Sequence, residues 1–448
     1  MFIDPPVKTP RSAWLVMLLA SLWMASLGNL ALWRALTNLP DLSGMHGVWF
    51  AIAFALMIAG VTCSVMAVLA WPWLLKPTVS LLLLLSAFST YYMWMYGIVV
   101  DSSMVINVLQ TDAREARDQL SWQLLYTVLV LAVLPMAWLW RQKIFYGDIK
   151  RTIFSNMLVF VSGLALTAGL TFLVFQDFAS LMRNHTQLRF LINPLNSVYA
   201  LLDLTVIPSN KASGPLKPLG RDARIERTHS PPPLLVLVLG ETARSDHFSL
   251  NGYERPTNPL LAKENVVSYK NVMSCGTSTA ESVPCMFSHL GREAYLARKE
   301  NHENVLDVLQ HAGYGVVWID NQSGCKGQCD RIPNTNTSSL NIPAYCEQGE
   351  CRDTVMLSEI ESQLAKLPAD RRARGTVVVL HQMGSHGPAY FKRTPAAFKP
   401  FQPECTDSSL SRCDRAQVVN AYDNTIVFTD YFLSRLIAWL KTQEKNST

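Results

Sequence analysis

The chain has 448 residues, 49% of them apolar and only 16% charged, against about 25% charged in an ordinary soluble protein. That length accommodates about three domains, the apolar content excludes a disordered chain, and a net charge of +5 is too small to argue for nucleic acid. The averages conceal a division: residues 1–180 hold 10 Lys and Arg with 8 Asp and Glu, and eight of the nine cysteines fall between residues 275 and 413.

Long apolar runs occur near residues 14–32, 48–71, 79–100, 124–140 and 153–175. A helix crossing a bilayer needs about 20 mostly apolar residues, so these runs predict a transmembrane domain of five spans over residues 1–176. Buried helices of a soluble domain rarely come as five such runs with so few charges. The first run has no small-residue cleavage site, which argues against a removed signal peptide. Lys8 and Arg11 precede the first span, Lys76 separates the second and third, and Arg141, Lys143, Lys150 and Arg151 separate the fourth and fifth. The alternate loops carry mixed charge, so the positive segments mark the cytoplasmic side and the N-terminus lies there. An odd number of spans then puts the rest of the chain outside the cytoplasm. In the loop after the third span, Asn107, Thr111 and Glu115 recur every four residues, which stacks them on one side of a helix. Such a stripe suits a lipid headgroup, although spacing alone favours a solvated surface helix.

Residues 177–233 read as a connector. Phe178, Leu181, Arg183, Arg189, Phe190 and Leu191 mix apolar and basic character as in an interfacial helix, and Ser209–Pro233 is a polar, Pro-containing linker. From residue 234 to 448 the pattern becomes α/β. The apolar runs Leu234–Leu239, Tyr314–Ile319 and Thr376–Leu380 read as strands buried on both faces, separated by helical patterns at Asn304–Ala312 and Val355–Leu367. A long helix over about Ala416–Thr442 follows. This alternation predicts a mostly parallel sheet with helices on both faces. In a domain outside the cytoplasm, Cys275, Cys285, Cys325, Cys329, Cys346, Cys351, Cys405 and Cys413 read as disulfides, of which nearest-neighbour pairing is the simplest arrangement. Cys63, inside a span, reads as a packing residue.

Open α/β sheets collect function at the carboxyl ends of their strands. Glu241 directly follows the first strand and Gly240, a position suited to a metal ligand and equally to an acid in a helix's first turn. Ser274–Ala280 is a Gly-containing turn with hydroxyls that precedes a short helix, a plausible anion cradle or a simple cap. Thr279 is its best-placed hydroxyl, and as a nucleophile it needs a base or a metal. His381 and His386 lie on the Gly-containing loop after Thr376–Leu380, suited to metal or phosphate. Lys326, between Cys325 and Cys329, is either a phosphate contact or a solvated rim lysine. The strings H-E-x-x-H, G-x-x-x-x-G-K-[ST] and G-x-S-x-G do not occur, which excludes zincin proteases, P-loop NTPases and ordinary α/β-hydrolases.

The strings at 240–247 (Gly-Glu-Thr-Ala-Arg-Ser-Asp-His), 274–280 (Ser-Cys-Gly-Thr-Ser-Thr-Ala), 282–288 (Ser-Val-Pro-Cys-Met-Phe-Ser) and 381–391 (His-Gln-Met-Gly-Ser-His-Gly-Pro-Ala-Tyr-Phe) resemble the lipid A phosphoethanolamine transferases, including the mobile colistin-resistance enzymes. The resemblance extends over essentially the whole chain. It implies a five-span inner-membrane protein, monomeric, with a periplasmic domain of the alkaline phosphatase/sulfatase type. It implies zinc as cofactor, Thr279 as nucleophile and zinc ligand, and Glu241 as a further ligand. Substrate contacts are implied for Asn107, Thr111, Glu115, Ser323, Lys326 and His386, which overrides the solvated-helix reading of the loop after span three. The expected reaction takes phosphoethanolamine from phosphatidylethanolamine onto Thr279 and then onto a lipid A phosphate, weakening the binding of polymyxins. An acceptor other than lipid A, either core heptose or a periplasmic glucan, is the nearest alternative, and a membrane-anchored phosphatase or sulfatase or a catalytically dead binding protein are others. The family's Asp-His-Gly-Glu loop, which supplies further zinc ligands, has no counterpart in the 448 residues. The expectation is therefore a C-terminally truncated member that is inactive or badly impaired.

Overall fold

Apolar stretches this long satisfy their backbone only by coiling, since a bilayer offers no hydrogen-bond partners. In the computed structural model, which describes residues 10–39, 42, 44–111, 116–117, 119–205, 215–226, 230–347, 350–408 and 410–444, they form five helices long and apolar enough to cross a membrane. These are Ala13–Thr37, Gly44–Val68, Leu75–Tyr96, Trp122–Trp140 and Ile149–Leu173. Each begins a few residues before its apolar run, because interfacial residues such as Lys76, Pro77, Lys150 and Arg151 continue the helical ladder. Gly97, at φ +66°, ends the third.

The chain divides into two units, Met1–Leu109 with Leu120–Pro208, and Gln110–Gln119 with Ser209–Thr448. Within the first, the second and fifth spans meet backbone to backbone. A Cβ on Gly60 would lie 2.8 Å from Gly163 O, and one on Gly163 would lie 2.6 Å from Gly60 O. Only small residues permit that approach, and Ser64 Oγ fastens it by donating to Phe160 O at 3.0 Å. The helix Ser102–Gln110 carries Asn107 but stops before Thr111, so the stripe expected there outruns the helix; Glu115 lies outside the described residues. The connector contains the helices Phe175–Asn184 and Leu195–Thr205. Its Asn193 is tied to the first span by Asn29, whose amide donates to Asn193 O at 2.7 Å and accepts from Asn193 N at 2.8 Å.

The second unit is built on a fully parallel sheet. Its strands are β1 (Leu234–Leu239), β2 (Gly315–Asp320), β3 (Asn334–Asn336) and β4 (Thr376–His381), in the spatial order β1-β4-β2-β3. Alternate side chains feed two cores. Val317, Ile319, Val378 and Leu380 pack on helices α3 (Thr354–Lys366) and α4 (Arg415–Gln443), through Val355, Met356, Ile360, Phe432 and Leu436. On the opposite face Val316, Trp318, Val377 and Val379 pack on α1 (Thr279–Met286) and α2 (Val305–Ala312), through Val283 and Leu306. Burying each such aliphatic side chain contributes about 1.5–3 kcal/mol, which holds the strand ends in register. β1 pairs with β4 over six residues, which sets Val236 against Val378 and Leu239 against His381.

Four disulfides join Cys275 to Cys285, Cys325 to Cys329, Cys346 to Cys351 and Cys405 to Cys413. Each closes a short loop, and the first two staple segments at the carboxyl end of the sheet. Cys63 is buried in the first unit as a free thiol.

Candidate active site at the carboxyl ends of the strands

Glu241 stands two residues beyond β1, and Thr279 is the first residue of α1. The two meet: Thr279 Oγ1 donates to Glu241 Oε2 at 3.0 Å. The other carboxylate oxygen, Oε1, accepts from Thr242 Oγ1 at 2.7 Å. Thr279 also sits at the positive end of the α1 dipole, where negative charge on its oxygen is favoured. The Cys275–Cys285 bridge ties the turn that precedes Thr279 to the second turn of that helix.

The loop after β4 closes over the backbone of Glu241. Ser385 N donates to Glu241 O at 3.0 Å, and Gln382 N donates to Leu239 O at 3.0 Å. Gly384 lies so close that a Cβ there would sit 2.9 Å from Glu241 O and 3.1 Å from Glu241 N, and its φ is +50°. The loop is held from beneath by Asp353. This buried carboxylate accepts from Met383 N at 2.8 Å, Gly384 N at 2.9 Å and Asn321 Nδ2 at 2.9 Å. Burial raises the Asp353 pKa, and the hydrogen bonds from Asn321, Gly384 and Met383, with the electrostatic influence of His381, offset the loss of water only in part.

A second buried acid organises the loop after β2. Asp320 Oδ1 accepts from Gln322 N at 2.9 Å and Gly324 N at 3.1 Å, while Oδ2 accepts from Trp318 Nε1 at 2.8 Å and lies 3.0 Å from His381 Nδ1. Burial by itself would raise the Asp320 pKa; the His381 contact, the indole and the backbone donors outweigh it and hold the carboxyl below its ordinary value. The turn that Asp320 caps presents Ser323 and Lys326, with Lys326 Nζ 3.0 Å from Ser323 Oγ. Lys326 has φ +50°, inside the ring closed by Cys325 and Cys329.

The sequence candidates in this unit thus fall into a touching pair, Glu241 with Thr279, and two flanking loops. One loop bears Ser323 and Lys326 and the other bears His386. His386 is half-buried, and its carbonyl accepts from Arg393 Nε at 3.0 Å. His381 is not a loop residue facing the Glu241–Thr279 pair through its Nδ1: it is fully buried at the end of β4, with that nitrogen committed to Asp320. Sequence reasoning missed Asp320 and Asp353. Asp320 carried the same signal as Glu241, an acid at the end of an apolar run. Asp353 carried none, since it works through a loop 30 residues away.

Glu241 and Thr279 are also the pair able to share a cation. Two oxygens bound about 2.0–2.2 Å from one tetrahedral ion lie roughly 3.3–3.6 Å apart, a little wider than the 3.0 Å seen between Oε2 and Oγ1. They would supply two of the four donors such an ion takes. Cys325, Cys329 and Asp330 also cluster, but both sulfurs are spent in a disulfide.

Comparison with known proteins agrees with this architecture. Residues 58–206 match the family model described as phosphoethanolamine transferase EptA/EptB, and residues 233–448 match that of the sulfatases. The chain is 38% identical over 445 residues to phosphoethanolamine transferase EptA of Escherichia coli K12, covering 97% of this chain and 79% of that one. It is 37% identical over 409 residues to phosphatidylethanolamine transferase Mcr-1 of Escherichia coli, covering 88% and 74%. The fold superposes on the integral membrane lipooligosaccharide phosphoethanolamine transferase A (EptA) of Neisseria meningitidis with a TM-score of 0.89 at 32% identity, covering 98% and 81%.

Proposed function

The chain belongs to the phosphoethanolamine transferase EptA/EptB family, with a sulfatase-type second unit, and on that premise we propose that it transfers phosphoethanolamine from phosphatidylethanolamine to a phosphate of lipid A. The observation that carries the reading is the 3.0 Å bond between the Thr279 hydroxyl and Glu241 at the carboxyl end of a parallel sheet. The spans, residues 1–176, keep the enzyme in the inner membrane beside two lipid substrates. Residues 177–233 connect them to the catalytic domain, residues 234–448. The alternation of positive loops supports a periplasmic location for that domain.

In the proposed first step Thr279 Oγ1 attacks the phosphorus of the donor. Its proton passes to Glu241 Oε2, which already accepts it in a hydrogen bond, and the bond from phosphorus to the glycerol oxygen breaks. The departing oxygen takes up a proton and leaves as diacylglycerol, with phosphoethanolamine esterified to Thr279. In the second step a lipid A phosphate oxygen attacks the same phosphorus, and Thr279 regains its proton as it leaves. Glu241 and Thr279 are the residues that would hold zinc, whose positive charge would lower the pKa of the hydroxyl. Lys326, Ser323 and His386 offer donors and positive charge to the phosphoryl oxygens from the two flanking loops. Asn107, Thr111 and Glu115 contribute polar contacts to a lipid headgroup. Because the group added carries an amine, it offsets anionic charge on lipid A and reduces the affinity of cationic peptides such as colistin.

The test is mass spectrometry of lipid A after incubation with the purified chain and phosphatidylethanolamine vesicles. The reading expects lipid A to gain phosphoethanolamine with the native chain, in place of the impaired activity expected from the absent Asp-His-Gly-Glu loop, and none with Thr279→Ala. Unmodified lipid A with the native chain, or equal modification by Thr279→Ala, contradicts it.

A further inference from the structure

The turn that follows Glu241 is gripped by a side chain the proposed reaction does not use. Tyr422, on α4, donates its hydroxyl to Thr242 O at 2.7 Å and accepts from Arg244 N at 2.8 Å. One oxygen therefore satisfies a backbone acceptor and a backbone donor on either side of Ala243. The segment so held is strained. Thr242 has φ +51°, a left-handed conformation that β-branched residues avoid. Such a conformation persists where the surroundings over-determine it, and here the Tyr422 hydroxyl does so.

The consequence reaches the reacting atoms in two further bonds. Thr242 Oγ1 donates to Glu241 Oε1, which leaves Oε2 turned to Thr279. The sequence of contacts is thus Tyr422, Thr242, Glu241, Thr279. Its far end is rigid. The Tyr422 ring is buried against the rings of His247, 4.9 Å away, and Tyr390, 5.6 Å away. The adjacent Asp423, with no exposed surface, binds His247 Nδ1 at 2.6 Å, Tyr253 OH at 2.8 Å and Arg255 Nη1 at 2.9 Å. Helix α4 therefore holds residues 242–255 at several points, but only the Tyr422 hydroxyl among these contacts reaches the residue that orients Glu241.

We infer that Tyr422 is a positioning residue, whose hydroxyl fixes the Thr242 turn and through it the direction in which Glu241 faces Thr279. This rests on the roles proposed above for Glu241 and Thr279. Tyr422→Phe in the full chain, in detergent or proteoliposomes, keeps the ring packing and deletes one oxygen. The expected result is a fall in kcat for phosphoethanolamine transfer of about 10–100-fold, the range seen when a group supporting a ligand is removed, with KM for phosphatidylethanolamine within about twofold. Zinc affinity, read by chelator competition, falls over the same range. Tyr253→Phe is the comparison: it deletes a hydroxyl bonded to Asp423 on the same helix but none on residues 242–244. It should leave kcat and zinc affinity within about twofold while lowering the melting temperature.

Native kcat and zinc affinity in Tyr422→Phe overturn the inference. So does an equal loss in Tyr253→Phe, which assigns the effect to helix stability. Glu241→Gln and Thr279→Ala run in parallel separate the two levels. Their retention of activity removes the underlying reading together with this inference, whereas their inactivity beside an unaffected Tyr422→Phe removes this inference alone.

Discussion

Replacing Gly384 by alanine tests whether the loop after β4 must touch the backbone of Glu241. Two costs add. At φ +50° an alanine is disfavoured by about 1–2 kcal/mol. Its Cβ would also lie 2.9 Å from Glu241 O, 3.1 Å from Glu241 N and 3.3 Å from Glu241 Cβ, and backbone atoms cannot rotate aside as a flexible side chain would. Overpacking of this kind costs about 1–3 kcal/mol, for a total of about 2–5 kcal/mol. For a unit of this size that lowers the melting temperature by about 5–15 °C, and relief requires Glu241 and the loop after β4 to move apart. Gly252→Ala is the comparison without the contact, since nothing lies within 4 Å of its added Cβ and its φ of +103°, further from the left-handed well, makes its conformational cost at least as large. Differential scanning fluorimetry and a transfer assay on the detergent-solubilised chain are the measurements. Gly384→Ala should melt below Gly252→Ala by several degrees and lose most transfer, whereas Gly252→Ala should retain it. Equal melting and equal activity in the two variants refute the claim of close approach.

Three further outcomes follow from the same geometry. Asp320 is held below its unfolded pKa of 3.8, so the stability it contributes is fully present above that pH and is lost as pH falls through the lower folded value. Denaturant titrations should therefore show the native chain losing stability more steeply than Asp320→Asn below about pH 4. Phe432, fully buried where α4 meets the sheet, should cost about 3–5 kcal/mol when replaced by alanine, seen as a lowered denaturation midpoint. Lys326→Met, which removes a charged donor from the loop after β2, should raise KM for the lipid donor about 10–100-fold with a smaller change in kcat; unchanged KM takes Lys326 out of substrate binding.

What the sequence reveals follows from the range over which each interaction acts. Strands β2 and β4 are written as uninterrupted apolar runs because both faces are buried, and the five spans because lipid covers what protein does not; β1 is equally apolar although Leu235 is 49% exposed. Strand β3 is Asn-Thr-Asn, with no apolar residue to mark it, and it exists because the backbone of β2 offers a free edge. The hairpin Cys346–Glu347 with Glu350–Cys351 is equally silent. Glu241 and Thr279 stand out because each adjoins a turn with its own signature, a strand followed by Gly240 and a helix start after Gly276. Tyr422 and Asp423 do not, because their partners lie about 170–180 residues earlier and a polar residue buried on a helix looks, in sequence, like one facing water. The four-residue spacing of Asn107, Thr111 and Glu115 implies one helix side, whereas the helix that carries Asn107 ends at Gln110.

The central claim is that the Thr279 oxygen itself receives phosphoethanolamine. Incubating the purified chain with phosphatidylethanolamine vesicles and no acceptor, then mapping peptides by mass spectrometry, tests it most directly. The account predicts a phosphoethanolamine group on the peptide containing Thr279, localised to that residue, absent from Glu241→Gln and discharged when lipid A is added. Lipid A that becomes modified while Thr279 stays unmodified at every time point, or a modification residing on another residue, contradicts it.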